Sequence, residues 1–182
     1  MGRAKERVLI LHGWGGSEDP HWQAWLAGEL AKRHYPVFFP KLASMYSPKK
    51  NNWVKHVKNY LREFQPDTVI CHSLGCTLWF WLCAEEKFPS VKRLLLVCPP
   101  RMNCEIEKVS TFFPAPVPKN LRAKEALLVL STNDHYLDSA EGDALTSDLD
   151  VPMIRLEGVG HINRESGFGP WPFALEWVLQ EK

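Results

Sequence analysis

The chain has 182 residues, 45% hydrophobic and 24% charged, with a formal net charge of +1. A chain of this size buries roughly 70% of the surface its unfolded form exposes, so one core needs neither disulfides nor metals. Near-zero net charge without a long basic run gives no electrostatic reason to expect nucleic acid or an anionic membrane as partner.

The first seven residues are polar and lack the apolar stretch of a signal peptide. Six short apolar runs then read as strands: Val8–Leu11, Val37–Phe39, Thr68–Cys71, Leu94–Val97, Leu127–Leu130 and Met153–Leu156. Most are continuously apolar rather than alternating, the pattern of strands buried on both faces of a parallel sheet. Helical patterns lie between them. Trp22, Trp25, Leu26 and Leu30 mark one face, and Trp53, Val57, Tyr60 and Phe64 another. Leu74–Ala84 is an apolar helix too short to span a bilayer. Phe173–Leu179 forms a last helix, preceded by Pro170 and Pro172, which suit a helix start. The alternation predicts an α/β fold, a doubly wound and mostly parallel sheet of about six strands, as one domain over residues 1–182. One stretch breaks the rhythm. Pro99–Ala123 carries five prolines with Phe112 and Phe113 in its middle, too many prolines for a regular helix.

The five cysteines, Cys71, Cys76, Cys83, Cys98 and Cys104, are an odd set, and the first four fall in apolar stretches. That usage predicts free thiols in a reducing, cytoplasmic compartment.

Cys71-His72-Ser73-Leu74-Gly75 stands between a buried strand and an apolar helix. That is the setting of a nucleophile elbow, in which a sharp turn lifts a serine hydroxyl above the sheet edge. The first position of the usual G-x-S-x-G pattern is Cys71 instead of glycine; its competing reading is a strand ending in a polar turn. His12-Gly13-Trp14-Gly15-Gly16 directly follows the first strand. An N–H of this loop, together with the N–H of Leu74, could form an oxyanion hole. The plainer reading is a glycine-rich turn. His12 is assigned no catalytic role, since a histidine there more often packs or bonds the loop; it is kept as a candidate substrate contact. Ser131-Thr132-Asn133-Asp134 and Gly158-Val159-Gly160-His161 each follow a strand. Ser73, Asp134 and His161 thus fall at strand ends in the order of an α/β-hydrolase triad. Serine needs a histidine to take its proton and a carboxylate to hold that histidine's tautomer. Asp138 and Asp143 also follow the fifth strand, but on the next helix, where they are expected to be solvated.

Three other readings compete. Cys71 or Cys76 could be a thiol nucleophile, although a reactive cysteine needs exposure. A zinc site would need a second Cys/His pair at suitable spacing, and none follows. The chain could also be a non-catalytic protein-interaction module on a hydrolase fold.

These segments together resemble the retinoblastoma-binding protein 9 and YdeN-like family of small serine hydrolases. The resemblance rests on HGWGGSEDPHWQAWL at 12–26, CHSLGC at 71–76, STNDHYLDSAEGDAL at 131–145 and GHINRESGFGPWP at 160–172. It implies a minimal α/β-hydrolase, a three-layer sandwich without a separate cap domain. It implies Ser73 as nucleophile, Asp134 as acid, His161 as base, and the backbone N–H groups of Trp14 and Leu74 as oxyanion donors. The implied substrates are small esters or peptides, with no cofactor and no metal. A pocket-protein interaction is not carried over, because Asn103-Cys104-Glu105 lacks the L-x-C-E spacing. The remaining candidates for substrate contact are Phe112 and Phe113 in the proline-rich stretch and Trp171 beside the last loop.

Overall fold

The computed structural model describes residues 5–85 and 87–180. Six strands form one sheet: β1 Val8–Leu11, β2 Val37–Phe38, β3 Thr68–His72, β4 Val91–Val97, β5 Ala123–Ser131 and β6 Met153–Leu156. Their order is β2-β1-β3-β4-β5-β6, and every neighbouring pair is parallel.

Both faces are covered, which is why the strands read as unbroken apolar runs. Val8, Ile10, Ile70, Leu95 and Val97 pack with helices α1 (Trp22–Lys32) and α5 (Pro172–Leu179). Leu9, Leu11, Val69, Cys71 and Leu96 point the other way, toward α2 (Lys50–Phe64), α3 (Leu74–Glu85) and α4 (Ser139–Leu149). This is the expected three-layer sandwich. β4 and β5 begin three and four residues earlier than their apolar runs, because Lys92, Arg93, Lys124 and Glu125 occupy their amino ends. The stretch from Pro99 to Arg122 holds one short 3₁₀ helix, Glu107–Phe112, between β4 and β5. No helix among the described residues is long and apolar enough to cross a membrane.

The strand order reverses at β1. The chain leaves β1 for α1 on one face and β3 for α3 on the other, so a crevice opens between their carboxyl ends. α3 closes tightly on this point. A Cβ on Gly75 would lie 2.6 Å from the carbonyl oxygen of Leu11 and 2.9 Å from that of His12. Both obstacles are backbone, so they cannot swing aside. Gly75→Ala is therefore expected to cost about 1–3 kcal/mol, as overpacking does. A lowered Tm in a thermal melt checks this; an unchanged Tm would show that α3 can move off β1.

Candidate active site

Ser73 follows β3 and opens α3. Its φ is +53°, a left-handed conformation that a non-glycine residue holds only when its surroundings enforce it. Two bonds do so. Ser73 N donates to Val97 O at 2.9 Å, and Cys76 N donates to Ser73 O at 2.8 Å. The hydroxyl donates to His161 Nε2 at 2.8 Å. On the other side of that ring, Nδ1–H donates to Asp134 Oδ2 at 2.7 Å. The Asp134 and His161 side chains are 3% and 4% exposed, so this pair is sheltered from water. Three side chains at three strand ends thus form one chain of hydrogen bonds. The geometry can move the serine proton to the imidazole while the carboxylate stabilises the resulting cation.

Each member is braced. Asp134 Oδ1 accepts from Tyr136 N at 2.9 Å, and the Tyr136 ring lies 4.5 Å from the His161 ring, centroid to centroid. Gly160 N donates to Asn133 Oδ1 at 2.7 Å, and Gly158 N to Thr132 Oγ1 at 2.9 Å. These bonds tie the loop after β6 to the loop after β5. His161 N donates to Ser166 Oγ, whose own proton goes to Asn163 Oδ1. A Cβ on Gly160 would stand 2.5 Å from Ser166 Oγ, so this approach requires glycine. The carbonyl of Ile162, the residue after His161, accepts from Trp22 Nε1 at 2.9 Å.

The loop after β1 lies against the serine. A Cβ on Gly13 would be 2.8 Å from Ser73 Cβ and 3.3 Å from its Oγ. His12 sets the orientation of this loop. Leu42 N donates to His12 Nε2 at 2.9 Å, so the ring's proton is on Nδ1, which donates to Gly13 O at 2.7 Å. In a trans peptide C=O and N–H point in opposite directions. Turning the Gly13 carbonyl toward His12 therefore turns the Trp14 N–H away from it. Neither Trp14 N nor Leu74 N, the first N–H of α3, donates to a protein oxygen among the described residues.

A cleft of about 440 Å³ opens over Ser73 and His161. Trp14, Tyr46, Glu18 and Asp19 lie along one part of its lining, and Pro100, Cys104, Ile106, Val109 and Phe113 along another. Phe113 is thus in the lining of the cleft. His12, Phe112 and Trp171 are not in the lining, which corrects those three expectations. His12 is 2% exposed and packs edge-on against Trp53. Phe112 is fully buried against the same Trp53, because it shares the inward face of the 3₁₀ helix with Val109, one turn earlier, whereas Phe113 lies past the helix end in extended backbone. Trp171 stacks edge-on with Trp22 at 4.9 Å, pinning α5 to α1. Asp138 and Asp143 stay out of the site. Asp138 caps α4 in a capping box with Glu141, and Asp143 pairs with Arg155 at 2.9 Å. The thiols of Cys71 and Cys76 are fully buried, and burial drives both upward, that of Cys76 beyond any reactive range. Among the described residues, one set of three His, Cys, Asp or Glu side chains brings its ligand atoms within 4.8 Å: Cys98, Asp134 and His161. Its carboxylate and imidazole are already bonded to each other.

A residue that motif reading missed is His72. Its Nε2–H donates to the carbonyl of His161 at 2.9 Å. Burial above all, then the neighbouring His161 and His21 rings, push its pKa well below the ordinary value, so the ring is neutral. His21, which caps α1 by accepting from Gln23 N, is pushed down to about 4 by burial and by His161 and His12.

A family profile described as serine hydrolase matches residues 8–180. The chain belongs to this serine hydrolase family. It is 20% identical over 179 residues to the YdeN protein of Bacillus subtilis (strain 168), covering 94% of this chain and 93% of that one. The solved structure of the B. subtilis ydeN product superposes with a TM-score of 0.83 at 17% identity, covering 96% and 97% of the two chains. A YdeN-like protein of Pectobacterium atrosepticum gives 0.76 at 22%, covering 96% and 89%. The esterase domain of a Rhodothermus marinus protein gives 0.64 at 14%, covering 89% and 80%. The fold is that of the α/β-hydrolases, and the protein is an enzyme of the hydrolase class.

The neutral histidines make stability depend on pH. In the unfolded chain both rings return to an ordinary value near 6.5. As pH falls below that, the unfolded state takes up protons that the native rings refuse, until about pH 4 at His21. Their contribution is full above this window and lost through it. Tm is expected to fall between pH 7 and pH 4.5. It should fall less in His21→Asn, which keeps a capping acceptor but takes no proton. Equal falls in the two proteins would overturn the assignment.

Proposed function

We propose that this hydrolase cleaves small carboxylic esters through an acyl-enzyme, with Ser73 as nucleophile, His161 as base and then acid, and Asp134 as the residue that orients the base. The observation that carries this reading is the unbroken pair of bonds, 2.8 Å from Ser73 Oγ to His161 Nε2 and 2.7 Å from Nδ1 to Asp134 Oδ2. Oγ attacks the ester carbonyl as its proton passes to Nε2. The oxyanion is received by the N–H groups of Trp14 and Leu74, neither of which donates to a protein acceptor among the described residues. His161 returns the proton to the leaving alcohol, and the same steps with water release the acid. The same steps would cleave an amide. Small esters are favoured by the modest cleft and by the likeness to an esterase domain. No step calls for a metal or cofactor. The cysteines are free, which supports a reducing, cytoplasmic setting.

A fluorophosphonate probe is expected to label the wild type and leave Ser73→Ala unlabelled. Ester turnover should vanish in that variant and fall on the order of 10⁴-fold in Asp134→Asn. Unchanged turnover in a folded Ser73→Ala protein would sink the reading.

In this reading the apolar lining residues Pro100, Ile106, Val109 and Phe113 form the wall that receives the acyl group. Each buried methylene adds roughly 0.8 kcal/mol only while the wall still encloses it. Rates on nitrophenyl esters should therefore peak at a few acyl carbons, and Phe113→Ala should move the peak to longer chains. An identical profile in the variant would remove Phe113 from the acyl site.

A further inference from the structure

Cys98 directly follows β4 and has a φ of +47°, outside the strand's extended region. Its N–H continues the sheet by donating to Val129 O at 2.9 Å, so the residue is locked to β5 just before that strand delivers Asp134. The side chain is fully buried. Its sulfur, a carboxylate oxygen of Asp134 and a ring nitrogen of His161 lie within 4.8 Å of one another. The carboxylate spends one lone pair on His161 Nδ1–H and one on Tyr136 N–H. Ionised carboxylates have about four acceptor sites, so a further donor can be accommodated. The thiol itself is held protonated: burial, then the nearby Asp134 charge, raise its pKa well above the ordinary value. Beside a buried carboxylate, a protonated thiol is a donor, and it is far too poor in thiolate to be a nucleophile.

We infer that Cys98 is a positioning residue for the active-site acid, donating its S–H to the Asp134 carboxylate and thereby setting how much negative charge that carboxylate presents to His161. This rests on the proposed roles of Ser73, His161 and Asp134. Two effects follow. The bond holds the carboxylate plane that orients the imidazole. It also draws charge from the oxygen facing Nδ1, so losing it strengthens the attraction of Asp134 for a protonated imidazole. The protonated, inactive form of the enzyme then persists to higher pH.

The test compares Cys98→Ala and Cys98→Ser on a short nitrophenyl ester, with and without Asp134→Asn. Cys98→Ala should lower kcat about 3- to 10-fold, the loss of one hydrogen bond, with KM little changed. The midpoint of its acid limb in kcat/KM should rise by about 0.5 pH unit, as the loss of a donor to the carboxylate requires. Cys98→Ser keeps a donor and should restore kcat, with the limb at or below its wild-type position. On the Asp134→Asn background Cys98→Ala should have little further effect, because the group it acts through has gone. A Cys98→Ala enzyme with wild-type kcat and acid limb would overturn the inference. So would a loss that persists in full on the Asp134→Asn background, since that marks a packing role. If Cys98→Ala does not fold, Cys98→Ser decides alone: a limb shifted upward would refute the donor role. The triad reading fails separately, if Ser73→Ala or Asp134→Asn leaves turnover intact.

Discussion

The bond from His161 to Asp134 is the constraint on which the rest of the site depends, because it spans two loops that no strand pairing holds. β5 and β6 pair only as far as Ser131 and Leu156, so both residues project beyond the ladder. Their 2.7 Å contact is kept by side chains that do what a ladder would have done. Thr132 and Asn133 hold Gly158 and Gly160 from one side, and Ser166 and His72 hold His161 from the other. A buried carboxylate bonded at both oxygens has little freedom to turn, and an imidazole fixed by it presents Nε2 in one direction. Ser73 Oγ lies in that direction because its strained φ aims it there.

The position of this cluster follows from topology. With β1 between β2 and β3, the connections after β1 and β3 diverge and leave space above the sheet. Gly13 and Gly75 then allow the loop after β1 and the first turn of α3 to approach to within contact of Ser73 and of β1. At Gly75 a single methyl group would force backbone from backbone, and at Gly13 it would press on Ser73 itself. The glycines are spaced widely in the chain, yet they serve one junction.

Much of this was legible in the sequence. β1 and β6 match their runs residue for residue; β1 is buried on both faces and has no polar position to blur the pattern, whereas β6 is a half-buried edge strand that carries Arg155. β4 and β5 were read short because their amino ends carry lysine, arginine and glutamate at the sheet's rim, where burial no longer selects. The positions of Ser73, Asp134 and His161 could be read from strand ends alone. The cleft wall could not. Phe112 and Phe113 are adjacent and chemically alike, and only the phase of a 3₁₀ turn sends one to the core and the other to the cleft. That phase is fixed by Trp53 and Trp81, which are distant in sequence. His72 and Cys98 were hidden for a related reason. Their roles depend on what the backbone brings beside them, and nothing in their immediate neighbours announces it.

The indole N–H groups also have a collective role. Trp22, Trp53, Trp79 and Trp81 each place a large ring against a helix layer and spend the single donor on the carbonyl of a distant connecting segment, at Ile162, Ala43, Leu121 and Phe112. A ring that fills core volume while its edge fastens a loop couples two things that proteins often keep apart, the rigidity of the interior and the shape of the rim. A connecting segment that detaches here strips a buried donor of its acceptor and loosens a core residue in the same motion. The rim therefore inherits the cooperativity of the fold: the binding surface is present while the molecule is folded and is lost with it.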